Sequence, residues 1–207
     1  MKTNIFRAAL ACAGFLATSA NAQDVRITTF KDDSTFSLNG QSFTVTRDQN
    51  VNATIPIEFS FTSRACPPNC IQPMIAVTGV AIYGELKVLG FLETKVSDGA
   101  GLLLDVRSPQ DFALSSIPGA VNVPFVTLGE DNRFRDDIMR ALGAVNGAGD
   151  ELDFSNAMSL AVFSGGSWSS DARTAINHLL SAGYPANKLS YYRGGMQAWR
   201  YLGLTVQ

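Results

Sequence analysis

The residues most able to do chemistry lie between positions 160 and 176. Leu160-Ala161-Val162-Phe163 runs into Ser164-Gly165-Gly166-Ser167-Trp168-Ser169-Ser170, and Asp171-Ala172-Arg173-Thr174-Ala175-Ile176 continues as a helical pattern. A short apolar strand, a tight Gly/Ser loop and a helix put the loop at the carboxyl end of a strand, where α/β sheets bind ligands. The first amides of a helix have no internal acceptors. Gly165 and Gly166 let nearby N–H groups turn inward, and amides gathered at a helix start form an anion cradle. The hydroxyls of Ser164, Ser167, Ser169 and Ser170 add donors.

As a nucleophile, Ser164 would need an adjacent base. His178 is the sole histidine, about two helical turns or roughly 10 Å beyond the loop. That spacing argues against a Ser-His hydrolase and makes His178 an ordinary helix residue. Two further groups could support the loop. Asp105 and Arg107 close the apolar run Leu102-Leu103-Leu104, and Arg107 is expected to pair with an acid such as Asp111. Ion pairs of this kind at strand ends are common without catalysis. Cys66 and Cys70 bracket Pro67-Pro68-Asn69, with Arg64 nearby. Prolines pre-bend that stretch, and the arginine would favour a thiolate. The pair is read as a local disulfide, as a redox or sulfur-relay couple, or as part of a metal site. The metal reading is weakened because no histidine lies close. No cofactor and no other metal site is expected.

The elements that must position these groups follow from pattern. Phe36-Ser37-Leu38 and Phe43-Thr44-Val45-Thr46 flank Asn39-Gly40, a pair that readily adopts a two-residue hairpin turn. Ile55–Phe61 alternates again and predicts a third strand, at an edge or a strand start because of Pro56. From Tyr83, Leu86, Leu89, Phe91 and Leu92 approximate one helical face. Leu102–Leu104 reads as a strand covered on both faces. Further helices are expected over Asn132–Leu142, Ser170–Ala182 and from Gly195, with strands at Leu160–Phe163 and near Leu189–Tyr192. Such alternation means an α/β fold: a parallel sheet with helices on both faces, here with a small β-rich N-terminal extension. The expected organisation is a signal peptide over 1–22, the extension with its Cys66/Cys70 connector over 23–75, and the α/β domain over 80–207.

The signal peptide rests on basic Lys2 and Arg7, an apolar stretch over Ala8–Thr18, and the small residues of Ala20-Asn21-Ala22, with cleavage after Ala22. Cys12 falls inside the apolar stretch and makes no lipoprotein site. The mature chain is expected to be periplasmic or secreted, with no membrane span once the signal is removed. Removing residues 1–22 takes two basic residues and no acid from 16 basic and 18 acidic ones, leaving a net charge of about −4. A chain of this charge offers nucleic acid no basic patch.

Three blocks carry a resemblance. Leu102-Leu103-Leu104-Asp105-Val106-Arg107-Ser108-Pro109, Ser116-Ile117-Pro118-Gly119 and Tyr192-Arg193-Gly194-Gly195-Met196-Gln197-Ala198-Trp199 surround the 164–170 loop. In this order and spacing, roughly residues 64–207 resemble the rhodanese-like sulfurtransferase family. In that family the position of Ser164 is the cysteine that carries sulfur, activated by the positive end of the following helix. The chain also departs from the family at Ser115-Ser116, where Gly-His usually precedes the Ile-Pro-Gly. A branch of exported members carries a second cysteine at the position of Ser169 and a Cys-Pro-Pro-x-Cys-Ile-Gln-Pro stretch like Cys66–Pro73. Phosphatases of the same fold need a cysteine and, six residues later, an arginine. Here those positions are Ser164 and Ser170, so that activity is not implied. The resemblance implies a degenerate member that binds a small sulfur-containing, thiosulfate-like anion, or an exported protein partner, at the 164–170 loop. Its rivals are a sulfurtransferase or thiol-redox protein using Cys66/Cys70, and a structural interaction module.

Export and the short, proline-bent spacing predict a Cys66–Cys70 disulfide. So small a loop constrains the unfolded chain modestly, by about 1–2 kcal/mol. Mass spectrometry of protein taken from the exporting cell should find both thiols protected from alkylation. Two free thiols would defeat the disulfide, and a sulfur-mass adduct would favour the relay.

Overall fold

A computed structural model describes residues 25–62, 77–147, 149 and 151–207. The expected signal peptide and the Cys66/Cys70 pair lie outside these residues. Five parallel strands form the central sheet in the order β3-β9-β8-β4-β5. They are β3 (Ala81–Ile82), β4 (Gly101–Asp105), β5 (Ala120–Asn122), β8 (Ser159–Phe163) and β9 (Leu189–Tyr192). Helices α1 (Glu85–Phe91), α2 (Pro109–Leu114), α3 (Arg135–Ala141), α4 (Asp171–Ser181) and α5 (Gly195–Tyr201) accompany it. This is the α/β architecture expected from the alternating pattern.

Side-chain alternation along the strands sorts the core into two layers. Leu104, Leu160, Val162, Leu189 and Tyr191 pack on one face with Ala175, Ile176 and Leu179 of α4. Leu103, Ala161, Phe163 and Tyr192 pack on the other with Val88 and Leu89 of α1 and Met196 and Trp199 of α5. A sheet covered on both faces explains why its central strands read as unbroken apolar runs. Helix α1 exits through a wider π turn over Leu92–Val96. Leu86, counted on its apolar face from sequence, is exposed, and Val88 takes its place inside. Helix α3 is shorter than the expected Asn132–Leu142. The glycine-rich link beyond it contains β6 (Val145–Asn146), paired antiparallel with β7 (Leu152–Asp153).

Ahead of the sheet, β1 (Ser34–Leu38) and β2 (Gln41–Val45) form the expected hairpin. Asn39 and Gly40 both take positive φ, 51° and 79°, as a two-residue turn of matching twist requires. The third strand expected at Ile55–Phe61 is instead a single 3-10 turn over Ile57–Phe59. Pro56 has no amide to give to a ladder, and its carbonyl accepts the Phe59 amide at 2.9 Å. Only Phe59 of the turn is buried.

Phe36, Val45 and Phe59 enter the core layer shared by α1 and α5. Polar ties reinforce the docking. Lys31 pairs with Glu93, Ser34 donates to the same carboxylate at 2.5 Å, and the Ser37 amide donates to Ser97 at 3.0 Å. The Glu93 carboxyl titrates below its ordinary value. Partial burial works against its charge, but the hydrogen bonds from Lys31 and Ser34 outweigh it. A lowered carboxyl contributes stability that is fully present above its unfolded value and lost as the pH falls through the folded one. Glu93→Gln should therefore cost about 0.5–1 kcal/mol in urea denaturation at pH 7, the scale of a partly screened pair. The gap to the parent should close as the pH falls from the ordinary carboxylate range through the lowered Glu93 value. A gap that persists in acid would contradict this account.

Candidate functional site

Strand β8 ends at Phe163, so Ser164 stands at the carboxyl edge of the sheet beside the end of β4. The Val106 amide donates to the Phe163 carbonyl at 3.1 Å and continues this pairing past the strand ends. Ser164, Gly165 and Gly166 are buried, Ser167 and Trp168 are half-buried, and Ser170 is exposed. The first turn of α5 holds the loop in place. Met196 and Gln197 amides donate to the carbonyls of Ser164 and Gly165 at 3.1 and 2.9 Å. Gly195 makes this approach possible. Its φ is +54°, and a Cβ there would sit 2.3 Å from the Ser164 carbonyl oxygen.

The Ser164 and Gly165 carbonyls are thus occupied while several of the loop's amides are not. The Ser169 amide donates to Gly166 at 3.0 Å. Among the described residues, the amides of Gly165, Gly166, Ser167 and Ser170 donate to no protein acceptor. The Ser164 hydroxyl also has no protein partner there. His178 is not the missing base, since its ring lies against Gly129, far down α4. Trp168 folds back over the loop: a Cβ on Gly165 or on Gly166 would come within 2.8 Å of the indole.

Asp105 and Arg107 do not reach the loop as chemistry. They form a closed pair beneath it. Asp105 is fully buried, and Arg107 donates through Nε to Oδ1 at 2.9 Å and through Nη2 to Oδ2 at 2.5 Å. Ser116 donates to Oδ2 at 2.8 Å, and Arg107 donates a further bond to the Ser115 carbonyl at 2.7 Å. The partner expected for Arg107, Asp111, is engaged elsewhere. It exchanges bonds with Ser108 at the start of α2, as a helix-capping pair. Arg107 takes Asp105 because two residues of chain bring the fork directly onto the carboxylate.

Sequence reasoning missed three participants. Asp171, the first residue of α4, is half-buried beside the loop; its amide takes a hydrogen bond to the Ser169 hydroxyl oxygen at 3.2 Å. Burial raises the Asp171 carboxyl above its ordinary value. The Ser169 hydrogen bond pulls it down, the Asp111 charge pushes it up again, and the net direction is upward. An acid in the first turn after the loop was visible in the sequence as a helix-start residue, but its nearness to Asp111 was not. Gln197 is the second. Besides gripping Gly165, it donates through Nε2 to the Phe59 carbonyl at 2.8 Å and so fastens the 57–59 turn to the loop. The third is Glu85, which accepts from the buried Tyr192 hydroxyl at 3.0 Å. Burial, with the Glu85 charge added, holds that phenol far above its ordinary range. Gln197 lies within the 192–199 block that carries the resemblance, but nothing there marked it as a contact to the loop, and Glu85 carries no motif. No cluster of metal-ligating side chains occurs among the described residues. No helix among them is long and apolar enough to cross a membrane.

The model of the rhodanese-like domain matches residues 90–201, and the chain belongs to that family. The chain is also similar to several solved structures. A rhodanese-like domain from Anabaena sp. is 24% identical over 52% of this chain and 99% of its own, with a TM-score of 0.35. A rhodanese-related protein from Thermoplasma volcanium is 23% identical over 53% and 86%, with a TM-score of 0.36. A protein from Lactobacillus plantarum is 21% identical over 60% and 86%, with a TM-score of 0.41. No curated protein sequence matches the chain.

The closed Asp105 network predicts a structural phenotype. Arg107→Met leaves a buried carboxylate without its counter-ion and should cost about 3–5 kcal/mol in urea denaturation. Ser116→Ala removes one neutral donor and should cost about 1 kcal/mol. Ligand response at the loop should be unchanged in folded Ser116→Ala. A stable Arg107→Met protein would refute the pair's structural role.

Proposed function

We propose that this rhodanese-like protein binds a small sulfur oxyanion, thiosulfate or sulfate in chemistry, at the 164–170 loop without passing sulfur through it. The observation that carries this reading is the set of free amides at Gly165, Gly166, Ser167 and Ser170. Amides at a helix start suit an anion. Ser164 supplies a hydroxyl to the same loop, but neither a thiolate nor a stable sulfur–sulfur bond. Asp105 and Arg107 hold the neighbouring strand end and do not touch the ligand. In this reading the protein acts outside the cytoplasm, after loss of residues 1–22.

One carboxylate tempers the affinity. Asp171 places negative charge beside the loop at the start of α4, and the Asp111 charge acts on Asp171 in turn, so binding is weak at neutral pH. Protonating Asp171 removes a charge that repels the ligand. Affinity therefore rises as the pH falls through the raised Asp171 value.

The test has three parts. Sulfate titrated against the protein should shift the amide signals of residues 165–170 and the Trp168 fluorescence at millimolar concentration. Asp171→Asn should tighten sulfate about five- to tenfold at pH 7, the scale of one close charge in a partly solvated site, and should flatten the pH dependence. The parent should transfer no sulfur from thiosulfate to cyanide, whereas Ser164→Cys should gain turnover, because the amides that activate a thiol are in place. Silence of the loop signals overturns the binding site. Transfer by the parent that vanishes on replacing Cys66 and Cys70 assigns the chemistry to that pair instead.

A further inference from the structure

A second cavity, built from residues other than those of the loop, lies between the N-terminal extension and the end of the chain. Its volume is about 690 Å³, and it is walled by residues 46–56 on one side and 200–206 on the other. The volume falls within the range of small-molecule sites, roughly 300–1,000 Å³. Its floor is hydrogen-bonded backbone. The Asp48 amide donates to Gly203 at 2.6 Å, the Thr205 amide to Thr46 at 3.0 Å, and Arg47 bridges to Leu204. That stitching makes the cavity a fixed feature rather than a gap between loose segments.

Two arginines line it, Arg47 and Arg200. Arg47 is aimed by its Nε, which donates to the Leu202 carbonyl at 2.7 Å. Neither arginine has a carboxylate within ion-pair distance among the described residues. The Arg200 Nε is buried and has no hydrogen-bond acceptor there. The one acid of the lining, Asp48, already accepts the Asn50 amide at 2.9 Å. Arg47 and Arg200 thus bring two positive charges to the cavity wall with no carboxylate paired to them among the described residues. The rest of the wall mixes polar residues, Thr46, Asn50, Thr54 and Thr205, with apolar ones; of the latter, Ile55 and Leu204 are joined by Val51 and Tyr201, each 77% exposed. Large apolar side chains held in water beside a cavity favour a ligand with an apolar body.

We infer that this cavity binds a small organic anion, a carboxylate or sulfonate carrying an apolar body, with Arg47 and Arg200 on the charged head and Val51, Ile55 and Leu204 on the body. Guanidinium forks match such planar or trigonal oxyanions geometrically. The site is independent of the 164–170 loop, and neither stands or falls with the other.

Benzoate is the probe, titrated into the full protein and followed by the amide NMR signals of Asp48, Gly203 and Thr205. Saturable shifts at millimolar benzoate are expected, with no matching response to benzyl alcohol, which has the same ring and no charge. Arg47→Gln and Arg200→Gln should each weaken benzoate about tenfold or more, the effect of losing one charge-assisted contact. Residues 165–170 should not respond to benzoate, and the sulfate response there should persist in both variants. Absence of saturable shifts overturns the inference. So do equal responses to benzoate and benzyl alcohol, or unchanged benzoate affinity in both variants. Should a glutamine variant fail to fold, Arg200→Lys keeps charge and stem, and the benzoate–benzyl alcohol comparison in the parent decides the matter by itself.

Discussion

The contact on which the site depends is the one between the backbone of Ser164–Gly165 and the first turn of α5. Two amides of α5 take up the loop's carbonyls, and Gly195 must reach φ +54° to let them do so. A side chain at 195 would occupy the space of the Ser164 carbonyl oxygen. With the Ser164 and Gly165 carbonyls held by α5, those two cannot turn toward the loop's own amides. Those amides stay available as donors at the head of α4, which is the physical content of an anion-binding loop.

The same principle of saturation separates the supporting residues from the site. Asp105 is fully buried, and its carboxylate oxygens are met by Arg107 and Ser116. A closed network of this kind fixes the end of β4 and offers nothing to a ligand. It also explains how Ser116 serves where a bulkier polar residue is usual in the family: a short hydroxyl reaches Oδ2 directly. The extension is fastened on the same logic. Its apolar residues complete the α5 face, and Gln197 links its 57–59 turn to the loop backbone.

The layered fold was legible because its signals are local. Apolar runs of four or five residues, a Gly/Ser loop and helical stretches recur in order, and Asn39-Gly40 announces its own turn geometry. The failures came where the partner is distant in sequence. Ile55–Phe61 alternates like a strand, yet no sheet edge receives it, and Pro56 closes a turn instead. Arg107 was matched to Asp111 because both lie on one side of the strand end, while the nearer Asp105 turned inward to meet it. Gln197 and Asp171 became part of the site only through contacts across the fold, to Phe59 and toward Asp111. Residue type alone could not place them.

The loop and its surroundings pull in opposite directions, and that opposition shapes what the fold can hold. A ring of amides favours negative charge, and a fully charged thiolate or persulfide would draw the most from it. With serine at 164 that charge is never generated by the chain itself. Asp171 then stands beside those donors, with the Asp111 charge acting on it in turn. The burial that raises the Asp171 carboxyl is the same burial that would strengthen any anion's attraction to the amides. A protein that carried a permanent anion here would gain from removing such acids. One that takes an anion transiently gains from keeping them, because the bound state is then held shallow and release is fast. The serine and the raised Asp171 carboxyl are consistent with each other, and under the reading proposed above they favour exchange of a ligand over its retention.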